Sequence, residues 1–480
     1  MTDEVSYDTL IPNNVNLSSD RRLQRALEKW RPKFLSWWQE SGPTDFQQAE
    51  VYLRTAIGVD RGNWAKFGFV RMPEYRWGVL LAPQVEGRTI PFGEHKGEPV
   101  WQEVPGEYRA LIRRLIVIQG DTEPASVEQQ RFLGHTAPSL YDMRNVFQVN
   151  VEEARHLWAM AYLLHKYFGR DGREEADMLL ERTSGDPDRP RILGAFNEET
   201  PDWLSFFLFT SFTDRDGKMQ LESLAQSGFD PLSRTCRFML TEEGHHMFVG
   251  KSGIERIVDR TCIIMNEHGI TDPADVGRLR DLSVIELPLL QRKMNFHFSV
   301  SLDLFGSEIS TNAANTFNAG IKGRCGEVDI DDDHQLHDDT YPVLTFNDGR
   351  FATEIMPAIT AINARLVDDY IEDCEKVVAA WNKVIAAHGI DFELVLPHRA
   401  FNRRQGLFAD LHVSPGGIVL EEATWLAERD SFLASSEDLA YVVSLMKPAD
   451  QVGEFANWIS PPKGGVGGKP GDYEYVRIAA

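Results

Sequence analysis

Apolar residues recur at spacings of three and four through six long stretches, 107–119, 141–168, 201–219, 234–265, 283–317 and 352–389. That period gathers them on one side of an α-helix, so each stretch is predicted helical. Their length, and the polar groups set inside their apolar faces, point to a helical bundle. Ser18, Ser19 and Asp20 are N-cap residue types ahead of a further helical pattern at 21–38. Short β-like pieces broken by Gly and Pro fill Pro73 to Gly106, and the chain returns to β-like and loop pieces from Ile390. A Gly/Pro-rich stretch at 461–475 reads as an irregular surface strap. The expected organisation is a mixed α/β N-terminal attachment (1–105), a helical core (106–388) and a loop-rich, β-containing C-terminal attachment (389–480).

Charge narrows the partners. The 480 residues carry 50 Lys and Arg against 73 Asp and Glu, a net charge of −23. Nucleic-acid binding needs a basic surface to displace counterions, so nucleic acid is excluded as a general partner. An anionic membrane surface is disfavoured for the same reason. The N-terminus lacks the basic and apolar regions of a secretory signal, and the apolar runs fall short of the ~20 residues a spanning helix needs. Cys236, Cys262, Cys325 and Cys374 lie far apart with no paired spacing, as expected of buried thiols in a reducing compartment. The expectation is a cytoplasmic protein.

Candidate chemistry lies in a long-range echo. Glu153 and His156, and again Glu243 and His246, form Glu-x-x-His on predicted helices. Residues three apart share a helix face, so carboxylate and imidazole point at one spot. Glu123 precedes Glu153 by 30 residues and Asp214 precedes Glu243 by 29. That interval holds two helices and a turn, and the pattern occurs twice. Two such helix pairs packed together bring four carboxylates and two imidazoles into one interior, the di-iron arrangement of ferritin-like four-helix bundles. The fold class expected is therefore mainly α, a ferritin-like bundle with a di-iron core, enlarged by extra helices and mixed attachments. Hard carboxylates with imidazole suit iron or manganese, and four carboxylates neutralise two divalent ions. The register stays open: Glu242 with His245 also fits Glu-x-x-His, and Asp216 competes with Asp214. Glu123 sits between Gly120 and Pro124, consistent either with a distorted helix aiming its carboxylate at metal or with a plain loop. Gln119, one turn earlier, is a candidate catalytic and substrate-binding hydrogen-bond donor. Among Trp203, Phe206, Phe207, Phe209 and Phe212, Phe207 is favoured for lining an apolar pocket, two turns before Asp214.

The run from Gly120 to Val249, with Gly-Asp-Thr-Glu-Pro, Glu-Glu-Ala-Arg-His, Thr-Asp-Arg-Asp-Gly and Glu-Glu-Gly-His-His, resembles the oxygenase components of the benzoyl-CoA 2,3-epoxidase family, and the resemblance extends over essentially the full chain. It implies a di-iron monooxygenase that epoxidises the ring of benzoyl-CoA at the 2,3 position with O₂, in aerobic benzoate degradation. The iron ligands it implies are Glu123, Glu153, His156, Asp214, Glu243 and His246. Asp at the third carboxylate departs from the Glu of the wider ferritin-like pattern. One oxygen atom leaves as water, so two electrons must come from outside. No Cys₄ cluster spacing or dinucleotide loop exists in the chain, which implies a separate NADPH-dependent iron-sulfur/flavin reductase as partner.

For the phosphates of coenzyme A the cationic candidates are Arg292 with Lys293, Lys322 with Arg324, and Arg403 with Arg404. The acidic stretch Asp331 to His337 reads as a solvent loop rather than a second metal site. The glycine run at 464–469 is followed by Pro470, not Ser or Thr, and is no phosphate loop. The alternative function is a ribonucleotide-reductase-like radical subunit, which needs a tyrosine near the metals, with Tyr141 or Tyr162 as candidates. Iron storage would need only a bare bundle, far shorter than this chain.

Overall fold

The computed structural model describes residues 14–15, 21–23, 25–27, 29, 49–59, 65–71, 78–130, 132–324, 338–464 and 476–478. The molecule is mainly helical. Five helices frame the interior: α1 (Arg109–Gln130), α2 (Leu140–Tyr167), α3 (Gly169–Glu181), α4 (Trp203–Ala225) and α5 (Asp230–Glu267). A short α6 (Val276–Asp281) leads to α7 (Leu287–Leu302) and α8 (Thr311–Asn318), and α9 (Ile362–Ala387) follows a strand pair. Helices α1 and α2 pack together, as do α4 and α5; α2 meets α5, and α7 and α9 cover α4 and α5. Among the described residues, no helix is long and apolar enough to cross a membrane.

The helix starts follow local chemistry. The Ser139 hydroxyl accepts from the Asp142 amide at 3.0 Å, and the Asp202 carboxylate accepts from the Ser205 amide at 2.7 Å, so each satisfies an otherwise orphaned first-turn donor. Pro231 occupies the first turn of α5, where its missing N–H costs nothing. Helix α1 runs unbroken through Pro124. The Thr122 and Ser126 hydroxyls bond the carbonyls of Gln119 and Glu123, at 2.7 and 3.0 Å, adding side-chain bonds on either side of the proline, which lacks a donor.

Two close helix crossings set the interior. A Cβ on Gly120 would come within 2.9 Å of the Met160 Cβ, so the glycine lets α1 lie against α2. Gly250 meets the backbone of Phe207 and Ser211 in the same way, and Gly253 receives the Phe207 ring. From Leu140 to Ala161 every residue of α2 is buried, polar ones included. A helix buried all round with polar groups on it must find partners for them inside.

The structure departs from the sequence pattern in two places. Residues 352–356 are not the start of a helix: β5 (Thr340–Asn347) and β6 (Arg350–Pro357) form an antiparallel hairpin, and α9 begins only at Ile362. Asp348 and Gly349, both at positive φ, make the tight turn that an Asp-Gly pair favours. Beyond Ile390 the chain forms two helices, α10 (Glu422–Phe432) and α11 (Ser436–Leu445), the latter started by a capping box of Ser435 and Asp438. In the N-terminal part β1 (Asn14–Val15) pairs with β4 (Val79–Leu80), β2 (Ala49–Val59) pairs with β3 (Ala65–Arg71), and β2 lies against α2. Cys236, Cys262 and Cys374 are buried free thiols. Cys325, the acidic stretch 331–337, the proposed cap at 18–20 and most of the C-terminal glycine run lie outside the described residues.

Candidate metal centre

Six buried side chains from α1, α2, α4 and α5 converge in the interior. Glu123 comes from α1, Glu153 and His156 from α2, Asp214 from α4, and Glu243 and His246 from α5. They form two overlapping groups of potential ligand atoms, each drawn together within 4.8 Å: Glu123, Glu153 and His156 in one, Glu153, Asp214, Glu243 and His246 in the other. Glu153 belongs to both. Its carboxylate oxygens lie 3.1 Å from His246 Nδ1 and 3.7 Å from His156 Nδ1. Glu243 spans the same gap, 3.4 Å from His246 Nδ1 and 3.6 Å from His156 Nδ1. Glu123 completes one end, 3.3 Å from His156 Nδ1.

Both imidazoles turn Nδ1 toward the carboxylates and Nε2 away. His156 Nε2 donates to Glu242 at 2.8 Å, and His246 Nε2 donates to Glu152 at 3.0 Å. The arrangement is reciprocal: α5 holds the histidine of α2, and α2 holds the histidine of α5. A carboxylate on one ring nitrogen fixes the tautomer and leaves the other nitrogen's lone pair free for a metal. Glu242 is itself paired with Arg155. Glu152 is gripped by Arg54 through Nε at 2.9 Å and Nη2 at 3.2 Å, and by Gln148 at 2.6 Å.

The Glu-x-x-His register compatible with this geometry is therefore Glu243 and His246. Glu242 faces the outer nitrogen of His156, and His245 lies outside both groups. Asp214, not Asp216, joins the cluster; Asp216 accepts from Gln220 at 3.1 Å and lines a cavity. Glu152, Arg54 and Arg155 escaped the sequence reading. A signal existed for Glu152: both copies carry a Glu-Glu doublet three and four residues before the histidine. None existed for Arg54, which arrives from β2, 98 residues away from Glu152 in the chain.

The donor set fits divalent metal ions. Among the described residues His246 Nδ1 and Asp214 Oδ2 are buried atoms without a hydrogen-bond partner, a costly condition unless something electropositive completes them. Burial pushes the Glu123 carboxyl up to about 8 and the Asp214 carboxyl well above its ordinary range, with the neighbouring Glu153 charge adding to both. Burial likewise raises Glu243. Burial opposes charge on the two imidazoles, yet the surrounding carboxylates carry both well above their ordinary values. Without metal, protons stand in for the missing positive charge.

This has a pH consequence. Glu123 holds its proton to about 8 when folded, against 4.5 ordinarily. Between those values the native chain binds a proton that the unfolded chain has released, so stability falls as pH rises through that window. Asp214, Glu243 and both histidines shift the same way. The metal-free chain is expected to lose melting temperature steadily between pH 5 and pH 8. The metal-loaded chain should lose little, since metal replaces the protons. Calorimetry on both forms checks this, and equal slopes would contradict it.

A cavity of about 520 Å³ opens beside the cluster. Leu193, Phe196 and Leu304 give it apolar walls; Gln119, Asp216 and Lys322 give it polar ones. Gln119 Nε2 donates to Glu123 at 2.8 Å and so bridges cavity and cluster. Phe207 does not line the cavity; its ring fills the space at Gly253, beside Trp203 and Phe206. Of the basic candidates, Lys322 reaches the cavity wall, where its ammonium bonds Gln220 at 2.5 Å. Arg292 pairs with Asp438, Lys293 with Asp202, Arg403 with Asp303 and Glu308, and Arg404 with Glu198. Tyr141 lies under the Arg256 guanidinium and Tyr162 packs edge-on to Tyr167, and the groups that act on each, Arg256, Asn145, Asp142 and Arg144 for Tyr141 and Tyr167 and Arg234 for Tyr162, are not cluster residues.

No family model matches the chain. It is 58% identical over 474 residues to benzoyl-CoA oxygenase component B of Aromatoleum evansii, covering 99% of this chain and 100% of that protein. At that identity over the full length of both chains, this protein belongs to the benzoyl-CoA oxygenase component B family.

Proposed function

We propose that the chain is the di-iron oxygenase component that converts benzoyl-CoA to its 2,3-epoxide with O₂, within a ferritin-like bundle formed by α1, α2, α4 and α5. The full-length identity to a benzoyl-CoA oxygenase component carries the substrate and the reaction. The doubled, overlapping cluster supports two metal ions rather than one. Glu123 and His156 would hold one ion, Asp214 and His246 the other, with Glu153 and Glu243 between them. Four carboxylates then balance two ferrous ions, so the buried site is neutral. When bound, the metal pair supplies the reduction of O₂.

The protein's own residues supply position and dryness. Leu193, Phe196 and Leu304 offer apolar surface for the ring. The Gln119 amide, pinned to Glu123, stands between ring and cluster and directs a hydrogen bond at what binds there. All six cluster side chains are nearly inaccessible, so water is kept from the reacting centre. Arg114 and Lys322 are the cavity cations that would meet the polar part of the thioester substrate.

The stoichiometry defines the partner. One oxygen atom adds across the ring double bond; the other, with two electrons and two protons, becomes water. A separate NADPH-dependent flavin/iron-sulfur reductase provides the electrons. The test is anaerobic loading with Fe(II), then addition of benzoyl-CoA, reductant and ¹⁸O₂. One labelled oxygen atom is expected in the product and the other in water. Two labelled atoms in the product would make the enzyme a dioxygenase, and none would overturn the reading.

A further inference from the structure

The reaction proposed above needs a docked electron donor, and the substrate cavity occupies the side of the bundle bounded by α1, α4 and the 304–323 segment. A second groove of about 410 Å³ shares no lining residue with it. It lies between the N-terminal half of α2, the middle of α5 and the segment around Pro461, Pro462 and Lys463.

Its centre is an exposed aromatic. Phe248 is 54% accessible in the middle of the longest helix. Its ring stacks on His245, with centroids 6.4 Å apart and planes at 26°. His245 is bonded in sequence to His246, which is fully buried in the metal cluster. Successive helical residues turn by about 100°, so His246 faces inward while His245 projects toward the groove. Two residues thus connect a metal-facing imidazole to a solvent-facing ring. His245 Nε2 is also a buried nitrogen without a hydrogen-bond partner among the described residues.

The rim is cationic in an acidic protein. Arg144, Lys251, Arg256 and Lys463 line the groove against Glu255 and Asp259; Arg256 is bound to the buried Asp142 behind it, and Asp259 is shared by His388 and Lys463. Four cations against Glu255, Asp259 and Asp142 leave a balance of one positive charge, so on a chain of net charge −23 an acidic partner meets less repulsion here than elsewhere. A solvent-facing phenyl ring inside such a rim has the composition of an interface centre.

We infer that the Phe248 groove is the docking face for the electron-donating reductase, which presents an acidic rim around its redox group and passes electrons inward past His245 and His246. Each turnover takes two electrons from the reduced flavin or iron-sulfur group of that partner, which leaves oxidised, and delivers them to the metal pair.

The test uses the full-length, iron-loaded chain with the reductase of its own multicomponent system. Phe248→Glu and the double change Lys251→Glu with Lys463→Glu replace surface groups outside the cluster. Each is expected to keep its iron, to keep oxygenation when reduced chemically with dithionite and mediator, and to raise the KM for reductase by at least about tenfold, the loss of one central contact. Wild-type association should weaken steeply with salt and the double variant's should not. Direct titration of the reductase against each variant gives a second readout that does not depend on turnover. Unchanged reductase affinity would overturn the docking face. Intact reductase binding differences with no oxygenation by any form would leave the docking face standing and refute the proposed reaction instead.

Discussion

A Glu153→Ala chain is expected to fold but to carry essentially no bound metal. Glu153 is the one side chain common to both groups of potential ligands, so its loss takes a donor from each ion and leaves three carboxylates to balance two divalent charges. Removing an outer partner of a ligand alone costs roughly 10–100-fold in metal affinity; removing a shared ligand should cost more at both positions. The same change also weakens the metal-free fold. Although burial opposes its charge, bonds from His156 and His246 hold the Glu153 carboxyl well below its ordinary range, so its removal takes from both imidazoles an anion they need and outweighs the relief to Glu123, Asp214 and Glu243. Metal analysis should find two ions in wild type and far fewer than one in the variant. Calorimetry near pH 7 should find the metal-free variant less stable than metal-free wild type. A variant that still bound two ions would refute the shared role.

Neighbouring glutamates on α5 should behave in opposite ways. Glu242→Ala is expected to destabilise the fold, with or without metal, by about 3–5 kcal/mol, the usual cost of breaking a buried ion pair from one side. Its carboxylate is fully buried, pairs with Arg155 and holds His156 Nε2. Glu243→Ala should instead lose metal while costing the metal-free chain little, since burial makes that carboxylate a burden until an ion arrives. Paired unfolding curves and metal counts separate the two. The reverse assignment, metal loss at Glu242 and instability at Glu243, would shift the register by one residue.

Much of this centre is written locally. Glu-x-x-His is legible because a helix fixes which residues share a face, and the matched intervals before Glu153 and Glu243 reflect two helices and a turn of ordinary length. The register within Glu-Glu-Gly-His-His is not local: it depends on how α5 is rotated against α2 and α4, which Gly250 and Gly253 set through their contacts with α4. Arg54 was illegible for the same reason, since only tertiary pairing brings β2 to Glu152. Helical spacing favoured Phe207 for the pocket, yet both faces of α4 are buried and Phe207 is used to seat α5. The aromatics that do line the cavity, Phe196 and Phe305, sit in 3₁₀ turns outside the long helices. The β5–β6 hairpin was masked by apolar residues that fit a helix as well as a strand, with Asp348-Gly349 as the overlooked breaker.

The central claim is that six side chains from four helices grip two metal ions side by side. Anomalous diffraction at the iron edge, on crystals loaded anaerobically with Fe(II), tests it most directly. The account predicts two peaks about 3.5–4 Å apart, one among Glu123, Glu153 and His156 and the other among Glu153, Asp214, Glu243 and His246. A single peak, or peaks away from these residues, would contradict it.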